Sequence, residues 1–193
     1  MSSWSREKYV RAYRFAAEAH RGQIIAESDH PYIVHPTLVS MEIISVLSIE
    51  SGWDGDLALQ TALLHDVLED TPHRFEEIRS QFGNAVADGV LSMTKDQNIR
   101  NGEKRIIEGL NRIRRQPWEI WLVKMADRIT NLSPPPASWS EARIADYRKE
   151  SLLIYRSLGK ANPFLARRLS RKIASYPPKP AVQRIPKTAG LRV

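Results

Sequence analysis

Cysteine is absent from the 193 residues. Its absence excludes disulfides, thiolate zinc sites and cysteine nucleophiles. No apolar run approaches the roughly 20 residues of a membrane-spanning helix. Residues 1–8 also lack the apolar stretch of a secretory signal, so the expected location is cytoplasmic, with no membrane partner. No segment alternates polar and apolar residues with β-branched enrichment, and strands are not expected. Internal repeats and interdomain linkers are missing too. Acidic residues are in deficit, 22 against 29 lysines and arginines, which leaves a formal charge of +7. That excess suggests an anionic partner without saying which. Much of it falls late in the chain, in Arg167, Arg168, Arg171, Lys172, Lys179, Arg184, Lys187 and Arg192. The plainest reading of these residues is a solvated helix face followed by a loose tail. Basic residues interleaved with aromatics are not evident, so no specific nucleic-acid partner is expected.

What the chain does contain is helical periodicity and firm punctuation. A helix is expected over residues 6–20, with Tyr9, Tyr13, Ala16 and Ala17 or His20 on its apolar stripe, ended by Gly22. Residues 23–36 read as a loop, and Pro36 suits the first turn of a helix reaching Leu47. Asp54 looks like the N-cap of one continuous helix that carries His65 and Asp66 and stops at Thr71-Pro72. Shorter pieces follow over 75–82 and 84–93, then a polar, mobile segment over 95–102. Helices over 103–115, 117–132, 140–158 and 163–175 complete the reading. It describes an all-α protein of about eight to ten helices, in one compact domain over 1–176. A Pro-rich basic tail over 177–193 is expected to be extended or disordered.

The segment from Ala62 to Thr71 places His65, Asp66, Glu69 and Asp70 inside an apolar run. On a helix, His65 and Glu69 share a ridge, as do Asp66 and Asp70, while Leu64, Val67 and Leu68 face a core. A partly buried imidazole beside three carboxylates is unfavourable unless a cation or strong donors compensate. A divalent metal satisfies that condition and leaves carboxylates free to handle protons. One helix cannot close such a site, and two further groups could contribute. His35 precedes Pro36 at a loop-to-helix junction, where its backbone would be extended; it could equally be a turn histidine. Asp127 shares a helix face with Asn131, although Lys124 and Arg128 make a salt-bridged acid an alternative. Two imidazoles and two carboxylates suit a six-coordinate ion such as manganese, and zinc or iron could also bind. His20, His30 and His73 read as surface or capping residues.

In order along the chain stand Ala19 to Gln23, Pro31 to Pro36, Ala62 to Thr71, Phe82-Gly83, Thr94-Lys95, Lys124 to Asn131 and Trp139 to Arg143 with Tyr147. This ordered set resembles the HD superfamily of metal-dependent phosphohydrolases. More narrowly it is similar to the RelA/SpoT-type hydrolase domain and the single-domain small alarmone hydrolases. No synthetase domain is expected in a chain of this length. The resemblance implies that His35, His65, Asp66 and Asp127 hold one metal ion, usually Mn2+, and that Glu69 and Asp70 align and deprotonate the attacking water. It further implies that Lys95, Asn131, Arg143 and Tyr147 line a nucleotide pocket. The implied reaction converts guanosine 3′,5′-bis-diphosphate (ppGpp or pppGpp) to GDP or GTP and pyrophosphate. One departure is clear: the family has basic residues after Gly22-Gln23, where this chain reads Ile24-Ile25-Ala26-Glu27. A cation–π contact to the purine, worth about 0.5–2 kcal/mol, cannot form from those positions. Another nucleotide substrate, or a nucleotide-binding sensor with little turnover, therefore stays open. So does assembly into an oligomer.

Overall fold

A computed structural model describes residues 4–178. Among the described residues ten α-helices run in chain order: α1 Arg6–Ala19, α2 Val34–Leu47, α3 Gly55–Leu64, α4 Val67–Asp70, α5 Phe75–Phe82, α6 Asn84–Met93, α7 Gly102–Ile113, α8 Trp118–Asn131, α9 Glu141–Leu158 and α10 Pro163–Ala174. Among the described residues no strand forms, only an isolated bridge between Ile24 and Pro31. The tail expected to be extended lies outside them from residue 179 onward.

Local chemistry explains most boundaries. Ser5, Asp54, Asn101, Ser140 and Asn162 each cap a helix by accepting a backbone N–H with the side chain. These bonds satisfy donors that the first helical turn leaves orphaned. Gly83 separates α5 from α6 at φ +86°, a left-handed conformation that glycine adopts without strain.

Helices α3 and α8 form the centre: α3 is apolar on nearly every face, and nine residues of α8 are buried, Asp127 and Arg128 among them. Every residue of α3 except Asp56 is buried, and the helix packs against α1, α2, α6 and α8. Leu59, Leu63, Leu64, Ile120, Leu122, Met125 and Ile129 fill the space between them with almost no exposure. Gly89 brings α6 close to this pair: a Cβ there would stand 2.7 Å from Ile120 Cδ1. His65, at the end of α3, and Asp127, on α8, are therefore carried by well-buried elements.

Two expectations need correction. The helix begun at Asp54 is not continuous; α3 stops at Leu64, and α4 restarts at Val67 with Asp66 as its N-cap. The Ala62 carbonyl, which a continuous helix would offer to residue 66, accepts His65 Nδ1–H at 2.8 Å. Adjacent residues on an unbroken helix diverge around the axis, and the break allows His65 and Asp66 to face the same cavity. His35 is not extended before its proline but lies inside the first turn of α2. Pro36 is tolerated there because first-turn N–H groups need no intrahelical acceptor. Of the two expected roles for His20, surface or capping, the structure has the second: it caps α1 and is buried, at 3% exposure.

Candidate metal centre

Three elements converge: the start of α2 supplies His35, the α3–α4 break supplies His65 and Asp66, and α8 supplies Asp127. His35 Nε2 and His65 Nε2 stand 3.3 Å apart. Asp66 Oδ2 lies 3.0 Å from His65 Nε2 and 3.6 Å from His35 Nε2. Asp127 Oδ1 lies 3.5 Å from His35 Nε2 and 3.7 Å from His65 Nε2. One ligand atom each of His35, His65 and Asp127 falls within 4.8 Å of the others.

The donor chemistry fits a divalent cation. A carbonyl can only accept, so the bond from His65 Nδ1 to Ala62 fixes a proton on Nδ1 and leaves Nε2 as the ring atom facing the cluster, where a cation would meet its lone pair once Nε2 is deprotonated. Two imidazole nitrogens and two carboxylates then face one another across a short gap. Groups about 2.1 Å from a shared ion stand about 3 Å apart at right angles, close to the spacing seen here.

The titration behaviour has the same cause. Burial opposes charging His65, but the Asp66 and Asp127 carboxylates prevail and push its pKa up to about 9. Burial also works against ionised Asp66, yet the facing imidazole of His65 holds its carboxyl well below the usual range. For Asp127, burial is outweighed by the Lys124 ammonium and by His35, and its carboxyl too stays low. Lys124 Nζ reaches Asp127 Oδ2 at 3.0 Å, while Asn131 Nδ2 donates to Oδ1 at 2.5 Å. Asp127 is thus both a salt-bridged acid, paired with Lys124 rather than Arg128, and a member of the cluster.

Glu69 and Asp70 sit at the rim in different states. Lys95 binds Glu69 twice, through its N–H at 3.0 Å and its Nζ at 2.6 Å. Asp70 is more open, but burial and the charges of Asp66 and Glu69 raise its pKa above that of an ordinary aspartate. A carboxylate with raised proton affinity is the better proton acceptor.

All ten residues singled out in the sequence line one cavity of about 320 Å³. Four of them occupy its outer wall. Lys95 faces Glu69 and Asn131 faces Asp127, so both are engaged with acids of the centre. Arg143 stacks over Trp139 at 4.9 Å and approaches Glu150 at 3.5 Å. Tyr147 lies beneath the Arg128 guanidinium at 4.0 Å, and burial raises its pKa to about 12, so it stays a neutral donor.

Several lining residues escaped sequence reading. Tyr32, Lys124 and Arg128 belong to blocks already singled out, where Tyr32 carries no role and the other two stand only as salt-bridge partners of Asp127. The wall from α7, with Gly102, Arg105, Ile106 and Gly109, is marked only by helical spacing on one face.

The HD domain family has a model that matches residues 12–164. The chain is 33% identical over 165 residues to the guanosine-3′,5′-bis(diphosphate) 3′-pyrophosphohydrolase MESH1 of Xenopus tropicalis, covering 83% of this chain and 89% of that protein. It is 32% identical over 158 residues to the human protein of the same name, covering 79% and 86%. A solved structure described as a metazoan ortholog of SpoT that hydrolyses ppGpp superposes with a TM-score of 0.75 at 26% identity, covering 89% of this chain and 97% of that one. With the helices, the convergent histidines and aspartates, and a match spanning most of its length, the chain belongs to the HD domain family.

Proposed function

We propose that the protein is a metal-dependent hydrolase that removes the 3′-pyrophosphate of guanosine 3′,5′-bis(diphosphate), leaving GDP, or GTP when the 5′ end carries three phosphates. The observation that carries this reading is the convergence of His35, His65 and Asp127, with Asp66 Oδ2 against both imidazoles, beside a second acidic pair in a cavity rimmed by cations. Similarity over most of the chain to relatives named for this reaction supports the substrate assignment.

His35, His65, Asp66 and Asp127 would hold the ion, with Mn2+ as the preferred metal because the set is mixed nitrogen and oxygen without sulfur. A divalent ion bound there lowers the pKa of water and polarises a phosphoryl oxygen. Asp70 accepts the attacking water's proton, as its raised proton affinity suits. Glu69 would orient that water, and the Lys95 bridge fixes its carboxylate. Lys95, Arg143 and Tyr147 face the phosphates as donors, and Asn131 steadies Asp127.

A second reading rests on one observation. Ile24 is 63% exposed, and Glu27 spends both carboxylate oxygens on the Ala137 and Ser138 N–H groups. The 24–27 segment thus offers the base no cation, which favours a relaxed choice of nucleobase.

The test is incubation of the purified protein with Mn2+ and ppGpp, with products identified by chromatography. Release of pyrophosphate and GDP is expected, and His65→Ala or Asp66→Ala should abolish it. No release with Mn2+, Mg2+, Zn2+ or Fe2+ overturns the proposal. A parallel panel of adenosine and guanosine 3′-phosphorylated nucleotides reads base selectivity.

A further inference from the structure

Tyr32 stands between the two acidic groups of the centre. Its hydroxyl lies 2.6 Å from Asp66 Oδ2 and 3.4 Å from Asp70 Oδ2. A phenol has one proton to donate and lone pairs with which to accept. The shorter bond commits the proton to Asp66, so an oxygen lone pair is left toward Asp70. Burial and the Asp66 charge hold the phenol in its protonated form.

The ring is held from behind. His20 packs on it with centroids 4.7 Å apart. Gln23 donates its amide Nε2–H to the Asp70 backbone carbonyl at 2.8 Å, which turns Gln23 Oε1 toward His20 Nδ1, also at 2.8 Å. That orientation is forced, because the Asp70 carbonyl cannot donate, and it places the His20 proton on Nδ1. His20 Nε2 is then buried without a partner. An unsatisfied buried nitrogen is unfavourable, and here it accompanies a ring whose packing sets the position of Tyr32. The same His20–Gln23 pair therefore braces the phenol and the backbone of Asp70 together.

We propose that Tyr32 is a positioning residue that couples the metal-holding carboxylate of Asp66 to the proton-accepting carboxylate of Asp70. This inference rests on the metal-centre reading above. Donation from Tyr32 fixes the rotamer of Asp66, so its carboxylate meets the cation in one orientation. When water attacks the 3′-linked phosphorus, its O–H bond breaks and the proton passes to Asp70 as the new P–O bond forms; the bond from phosphorus to the ribose 3′ oxygen breaks, and that oxygen leaves with the electron pair and takes a proton from solvent. The protonated Asp70 then donates to the Tyr32 lone pair already aimed at it. Tyr32 gains no proton and loses none. Its contribution is to favour the proton-bearing state of Asp70 at the moment that state forms.

Tyr32→Phe keeps the ring and its packing on His20 while removing the hydroxyl, and circular dichroism checks that the fold is retained. Mn2+ affinity, read by electron paramagnetic resonance of the free ion, should fall about tenfold or more, the usual effect of removing a group that orients a metal ligand. At saturating Mn2+, kcat should fall at least about tenfold with KM within about twofold. In an Asp70→Asn background the same substitution should lower kcat several-fold less, since asparagine accepts no proton. Unchanged Mn2+ affinity, an unchanged kcat, or an equal kcat loss with and without Asp70 each overturns the coupling. If wild-type protein hydrolyses no bis-diphosphate, the Mn2+ measurement alone decides, so failure of the substrate reading is distinguishable from failure of this one.

Discussion

Replacing Lys124 by methionine tests how the charges of the centre balance. Lys124 Nζ lies 3.0 Å from Asp127 Oδ2, and the two side chains are only 12% and 9% exposed. Methionine preserves most of the stem and removes the charge. Deleting one partner of a buried pair costs about 3–5 kcal/mol, because the other charge is stranded. Asp127 keeps Asn131 and His35, so the lower end, about 3 kcal/mol, applies to metal-free protein. In a chain of this size each kcal/mol moves Tm by about 2–4 °C, which gives a fall of about 6–12 °C in the presence of chelator. The substitution also removes a positive charge beside the cation site. Mn2+ should therefore bind Lys124→Met more tightly than wild type and raise its Tm by more. Scanning calorimetry across a Mn2+ titration, with EDTA as reference, measures both effects. A variant as stable as wild type in EDTA, or one that Mn2+ stabilises less, would refute the charge balance described above.

Three further outcomes are expected. Asp70→Asn should lower kcat by about 10²–10⁴-fold while leaving Mn2+ affinity within a few-fold, because Asp70 handles protons and holds no metal; steady-state kinetics with a Mn2+ titration checks it. In chelator, stability should decline with rising pH. The folded-state pKa of His65, about 9, lies above its ordinary value of about 6.5, so its contribution is complete below about 6.5 and disappears through about 9. With Mn2+ the trend should reverse, since the ion needs the neutral imidazole; a Tm that is flat with pH in both conditions contradicts the assignment. Gly89→Ala should destabilise by about 1–3 kcal/mol through overpacking against Ile120 and Thr61, visible in urea unfolding.

Much of this was legible in the chain because the signals are local. Capping residues and prolines mark the helix ends, and His65-Asp66 inside an apolar run announces a buried polar site. The helix break at 65–66 was hidden, since every residue around it has helical periodicity; only the need for two adjacent side chains to face one cavity requires it. His35 inside α2 contradicts the local preference of a residue before proline, and packing overrode that preference. Tyr32 and His20 act through partners 34 and 3 residues away in sequence, respectively Asp66 and Gln23, and the longer pairing leaves no periodic trace. The α7 wall likewise reads as an ordinary amphipathic face until the fold closes the cavity against it.

The central claim is that one divalent ion sits among four side chains drawn from α2, the α3–α4 break and α8. Anomalous diffraction at the manganese edge, from crystals grown with Mn2+, tests it most directly. The account predicts a single peak within bonding distance of His35 Nε2, His65 Nε2, Asp66 and Asp127. A peak elsewhere, or an ion that His35 or Asp127 fails to reach, would contradict it.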